Sequence, residues 1–112
     1  MKRIEAIIRP TRAGKVCAAL EKVGYPGLNF TQIEGRRMQE GVTYQLRGKK
    51  YNVDLTARAR VEVIVNDAEA EKIVKAVRDA AFTGESGDGE IYVHAIENVI
   101  RVMTGESGDA AI

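Results

Sequence analysis

The chain has 112 residues and a formal net charge of +1, which suits one domain with one modest core and gives no global electrostatic case for nucleic acid or a membrane surface. Its single cysteine, Cys17, excludes an intrachain disulfide and suits a reducing compartment. No run reaches the apolar length of a bilayer span, and Met1–Glu5 lacks a signal-peptide pattern, so the expected location is the cytoplasm, without membrane insertion.

The first element is a strand over Arg3–Arg9, rich in Ile and broken by charge. A helix follows Pro10, with Thr11 as its N-cap and a buried stripe of Val16, Leu20 and Val23. Gly24 ends that helix. Leu28–Gly35 reads as a strand with Leu28, Phe30 and Gln32 in one phase. Arg60–Asn66 is a third strand, and Asn66 or Asp67 caps a second helix with a stripe of Ile73, Val77 and Ala80–Ala81. Glu90–Ile96 is a fourth strand, with Ile91, Val93 and Ala95 alternating against Tyr92, His94 and Ile96. A short strand is expected around Asn98–Val102, ahead of a tail of about 103–112.

The two halves repeat. With Arg3 over Arg60, Glu5 meets Glu62, Ile7 meets Ile64, Lys15 meets Lys72 and Ala19 meets Ala76. Two β-α-β units in tandem predict an α+β, ferredoxin-like domain over residues 1–112. Its helices would cover one sheet face, and self-association is the economical cover for the other.

Between the halves, residues 36–59 read neither as a helix nor as a clean strand pair. A loop this long is usually functional or disordered. From Arg36 to Arg60 there are seven cations (Arg36, Arg37, Arg47, Lys49, Lys50, Arg58 and Arg60) against Glu40 and Asp54, with Tyr44 and Tyr51 interleaved. A solvated loop explains the charge; the favoured reading is an arm that docks on a partner protein or closes over an anion.

Thr83-Gly84-Glu85-Ser86-Gly87-Asp88-Gly89 joins the second helix to the last strand. Its glycines leave backbone amides able to approach a phosphate. It is neither a Walker loop nor a dinucleotide fingerprint, and a plain glycine turn is at least as good a reading of it alone. Six of its residues return unchanged as Thr104-Gly105-Glu106-Ser107-Gly108-Asp109, just after Arg101.

With these motifs in place, the chain resembles the PII signal-transduction family along its whole length. The resemblance lies in the opening Met1-Lys2-Arg3-Ile4-Glu5-Ala6-Ile7-Ile8-Arg9-Pro10, in Arg47-Gly48 ahead of Tyr51, in Thr83-Gly84 with Gly87-Asp88-Gly89, and in Val99-Ile100-Arg101 followed by Thr104-Gly105-Glu106. It implies a homotrimer with ATP or ADP in clefts between subunits, and a long loop that reports nucleotide state to a transporter or metabolic enzyme. It would put Gly35, Gly87, Asp88, Gly89 and Arg101 in the nucleotide cleft. Gln39 would sit near a Mg-ATP and 2-oxoglutarate site, and Glu62, Val63 and Ile64 would line the adenine pocket.

Departures from the family pattern fall on the same site. The loop entry is Gly35-Arg36-Arg37-Met38-Gln39, an expected lysine is Arg58, and phosphate-facing cations are replaced at Met38, Glu90 and Met103. Glu90 would set a carboxylate beside the terminal phosphates, where like charges repel. The expectation is therefore weakened ATP binding and a preference for ADP or AMP. Synergistic 2-oxoglutarate binding is in doubt, and Arg36, Arg37 and Arg58 offer a site for a smaller anion such as bicarbonate. Magnesium is left open. Tyr51 aligns with the family's nucleotidylation position, and modification and a plain loop tyrosine are equal readings.

His94, the one histidine, is expected to be a satisfied strand residue, and Cys17 a small packing residue. Glu5 and Glu62 are expected to be structural. No metal-ligand spacing and no nucleophile, base or paired-carboxylate set stands out. Four functional readings follow: a nucleotide-sensing, non-catalytic regulator; a standard ATP and 2-oxoglutarate nitrogen sensor or an inorganic-carbon relative; a slow nucleotide hydrolase; and a purely structural oligomer.

Overall fold

The fold is described from a computed structural model. It describes residues 1–25, 28–46 and 49–112, at main-chain level only for 34–46 and 49–56. The elements are β1 (Lys2–Ile8), α1 (Ala13–Lys22), β2 (Asn29–Leu46), β3 (Lys49–Val65), α2 (Ala70–Ala81) and β4 (Gly89–Ala95). Three single turns of 3₁₀ helix, Pro10–Arg12, Asp67–Glu69 and Gly108–Ala111, punctuate them. The sheet order is β2-β3-β1-β4 with every pairing antiparallel, which is the ferredoxin-like arrangement expected from the tandem units.

Strand alternation sorts the side chains. Ile4, Ala6 and Ile8 of β1 and Ala59, Val61, Val63 and Val65 of β3 are buried toward the helices. Val16 and Leu20 of α1 and Ile73 and Val77 of α2 are wholly buried against them. Each Val, Leu or Ile among them contributes about 1.5–3 kcal/mol on burial, so these nine, with Ala6 and Ala59, hold the sandwich. Val23 and Ala80 sit at its margin, only partly buried. The opposite sheet face carries Arg3, Glu5 and Ile7 beside Arg60, Glu62 and Ile64, with no element of the described chain packed over it.

Several expectations are corrected. Thr11 is not an N-cap: Pro10 starts the 3₁₀ turn, Arg9 holds the cap position, and neither that turn nor α1 has a side-chain cap bond. Proline's fixed φ and missing amide suit the first position of such a turn. The second helix keeps its cap, since Asn66 Oδ1 accepts from the Glu69 amide at 3.0 Å. The Met1 ammonium bonds to Asp67 Oδ1 at 2.9 Å, which with Lys2 lowers that carboxyl's pKa.

Residues 36–59 are not a shapeless connection. β2 and β3 continue far past the sheet as an antiparallel ribbon, and the domain measures 56 × 29 × 21 Å. Pairing jumps from Met38–Val53 to Thr43–Asn52, so residues 39–42 bulge from β2. No strand forms at Asn98–Val102; Ile100 makes a single bridge to Ser107. Among the described residues no helix is long and apolar enough to cross a membrane.

Candidate functional site

The turn between α2 and β4 is built around Asp88. Its Oδ2 accepts from the amides of Thr83 at 2.8 Å and Gly84 at 2.9 Å, and its Oδ1 accepts from Thr83 Oγ1 and, at 3.1 Å, from Arg9 Nε. The Thr83 bonds, with Arg9 and the Gly84 amide, hold the Asp88 carboxyl far below the usual carboxylate range. Arg9 also donates to Ser86 O at 2.7 Å, and Arg58 Nη1 donates to Gly87 O. Two guanidinium groups thus clamp the turn onto the end of β1 and the middle of β3.

Gly89 follows at φ +102°. A Cβ placed there would lie 1.8 Å from Ile7 O, so only glycine lets β4 start this close to β1. No hydrogen bond runs from the amides of Ser86, Gly87 or Asp88 to a described residue. Among the described residues the turn is pinned by its side chains and carbonyls, not by its middle amides.

The remaining predicted residues divide into groups. Glu62 and Ile64 face the open side of the sheet, and with Leu28 and Asn29 they line a shallow recess. Val63 also borders this recess, but its side chain is buried in the core, so alternation separates it from its two neighbours. Arg101 belongs to a C-terminal knot: its amide donates to Glu106 O at 2.9 Å, its carbonyl accepts from the Gly105 amide at 2.9 Å, and its Nε donates to Ala111 O at 3.3 Å. Met103, beside Val102, stands fully exposed. No described bond joins this knot to the Asp88 turn. Glu90 is not free: its Oε2 accepts from Tyr92 OH. The side chains of Gly35, Arg36, Arg37, Met38, Gln39 and Tyr51 lie outside the described residues, as do Arg47 and Gly48 entirely.

Asp88 is expected in the nucleotide cleft; its carboxylate is engaged inside the turn. The sequence reading missed Arg9, Thr83 and Tyr92. Thr83 carried a local signal, a Thr-Gly five residues ahead of an Asp; Arg9 carried none, because its partners lie 77 and 79 residues away. His94 is not satisfied: its Nε2 is shielded from solvent without a hydrogen-bond partner among the described residues, 4.0 Å from Glu5 Oε2. Cys17 is half-buried on α1.

The repeated hexapeptide shares two local features in both places, although Ser107 makes a bridge and Gly108 starts a 3₁₀ turn only in the second copy. Thr83 Oγ1 accepts from the Glu85 amide and Thr104 Oγ1 from the Glu106 amide, both at 3.2 Å. The matching glycines have φ of +88° and +72°, then +98° and +73°.

Comparison with known proteins agrees with this architecture. The family model "Nitrogen regulatory protein P-II" matches residues 1–106. "Nitrogen regulatory protein P-II" of Rhizobium meliloti is 46% identical over 112 residues, covering all of both chains. "Nitrogen regulatory protein P-II 2" of Methanothermobacter thermautotrophicus is 40% identical, over all of this chain and 97% of that one. The crystal structure of Arabidopsis thaliana PII bound to citrate superposes with a TM-score of 0.80 at 32% identity, covering 99% of this chain and 91% of that one. A full-length family match, on a β2-β3-β1-β4 sheet with a glycine turn clamped at the head of β4, places this chain in the P-II family of nitrogen regulatory proteins.

Proposed function

We propose that the protein is a non-catalytic regulator that assembles as a trimer, binds adenine nucleotides between copies with ADP or AMP favoured over ATP, and controls a target protein through its 36–59 ribbon. The observation that carries the reading is the Asp88 turn, with the unspent amides of Ser86, Gly87 and Asp88 beside the Arg9 and Arg58 guanidiniums. Amides and cations converging in this way suit a phosphate chain. The separation of the Arg101 knot from this turn within one chain supports a cleft completed by a second copy.

Glu90 supports the ADP or AMP preference. It directly follows Gly89, so each further phosphate adds charge near a carboxylate. Arg58 is engaged by Gly87 O, so a small acid anion at Arg58 would compete with the turn for that guanidinium. The Arabidopsis relative, bound to citrate, supports a carboxylate ligand as the second effector. Magnesium is required only if ATP itself binds well.

Isothermal calorimetry with AMP, ADP and ATP, with and without magnesium, tests the reading. The expected result is tighter ADP than ATP binding. No heat with any adenylate up to about 1 mM, where binding free energy has fallen to roughly −4 kcal/mol, removes the sensor. Steady product formation from Mg-ATP at enzymatic rates would replace it with a hydrolase.

A further inference from the structure

The open face of the sheet carries charges in ordered rows. Arg3 lies across from His94 on β4 and Ile64 on β3; Glu5 lies between Tyr92 and Glu62; Ile7 lies between Glu90 and Arg60. Glu5 Oε2 is 3.9 Å from Arg3 Nη2 and 4.0 Å from His94 Nε2, and Arg60 Nε is 3.3 Å from Glu62 Oε1. That last pair is within ion-pair range but not aligned as a hydrogen bond. The Nε atoms of Arg3 and Arg60 and Nε2 of His94 are shielded from water and unpartnered among the described residues.

These rows hold three carboxylates, Glu5, Glu62 and Glu90, against two guanidiniums, Arg3 and Arg60. Asn29 and Thr31, the β2 residues paired with Glu62 and Arg60, add no charge. Beyond the rows, Arg9 and Arg58 are committed to the Asp88 turn. Tyr92 stays neutral, because its bond to Glu90 raises its pKa. Among the described residues these rows therefore carry one negative charge in excess while His94 is neutral, and histidine is the side chain that ordinarily changes charge between about pH 5 and 8. Burying a net charge at an interface is costly unless it is paired.

We propose that His94 is the charge-balancing residue of an interface between copies of this chain, so that a proton bound at its imidazole beside Glu5 tightens assembly. The inference depends on the reading that further copies cover the open face. Such a cover would take water away from Glu5, Glu62 and Glu90 together, so the charge imbalance of these rows bears directly on assembly. The sign follows from proton linkage: an association that takes up protons strengthens as pH falls and weakens as pH rises, by up to about tenfold per pH unit for each proton. The N-terminal amine, bonded to Asp67, and Cys17 are common to all variants below and cancel between them.

The experiment compares wild type, His94→Gln and His94→Lys at pH 6 and pH 8, by sedimentation across a dilution series, with urea added where dissociation is otherwise out of range. Wild type is expected to dissociate about tenfold or more readily at pH 8. His94→Gln should lose most of that difference, and His94→Lys, with a fixed cation, should stay as tight at pH 8 as wild type is at pH 6. Assembly of equal strength at both pH values, or an undiminished slope in His94→Gln, overturns the role of His94. A chain that is monomeric at every concentration and pH overturns the covered-face reading itself, independently of the adenylate calorimetry.

Discussion

Arg9 Nε stands 3.1 Å from Asp88 Oδ1, joining the end of β1 to the turn ahead of β4 across 79 positions of sequence. The same carboxylate takes the Thr83 and Gly84 amides, so one side chain closes the turn locally and anchors it globally. Asp88→Asn replaces two acceptor oxygens and a charge with one acceptor oxygen and an amide NH2 donor. The expected result is a melting temperature lower by several degrees.

The acid behaviour of Asp88 follows from its depressed pKa. A carboxyl whose folded pKa lies below its unfolded value contributes stability that is full above the unfolded pKa and fades as pH falls toward the folded one. Wild type should therefore lose stability below about pH 4 more steeply than Asp88→Asn. Thermal melts from pH 6 to pH 2.5 check this; parallel curves would show that the carboxylate does not carry the effect.

Gly84 and Gly89 make a matched pair of substitutions. Both have positive φ, which costs an alanine about 1 kcal/mol or more. At Gly84 the added methyl meets only the edge of the Phe82 ring at 3.4 Å, whereas at Gly89 it meets Ile7 O at 1.8 Å. Gly84→Ala should fold with a loss of about 1–2 kcal/mol in urea titration, while Gly89→Ala should separate β4 from β1 and fail to yield a cooperative transition.

Leu20, wholly buried between α1 and the sheet, tests the core. Leu20→Ala should cost about 2–5 kcal/mol, the range for a buried leucine that leaves a cavity. Loss of under 1 kcal/mol by chemical denaturation would show that α1 packs more loosely than its burial implies.

Glu90 tests nucleotide preference. Glu90→Lys exchanges a like charge for an opposite one near the proposed phosphate position, and should improve ATP binding relative to ADP by roughly tenfold or more. Tyr92→Phe removes the hydroxyl that holds this carboxylate and should shift the ratio the other way. Calorimetry on both variants reads the two ratios.

Much of the sandwich was legible because burial imposes a period. β1, both helices and β4 lie within about three residues of the expected bounds, since Ile4, Ala6 and Ile8, and Ile73 and Val77, mark their buried faces. The ribbon was not legible. Its two strands are paired by main-chain ladder bonds, which form whatever side chains are attached, so no alternation is needed to advertise them. The Arg9 clamp and the unpaired His94 nitrogen were invisible for another reason: both depend on strands distant in sequence becoming neighbours. Val63 shows a finer distinction: it borders the same recess as Glu62 and Ile64, but strand geometry turns its side chain into the core, so only its main chain is presented there.

The duplicated hexapeptide shows how much of the turn belongs to its surroundings. Both copies keep left-handed glycines and a threonine hydroxyl that accepts from the amide two residues on, yet at 104–109 Ser107 bridges to Ile100 and Gly108 opens a 3₁₀ turn. The same six letters therefore finish differently where no carboxylate gathers the threonine and glycine amides and no guanidinium is attached among the described residues. A ligand that competes for Arg9 and Arg58 would thus loosen the turn as well as shift it.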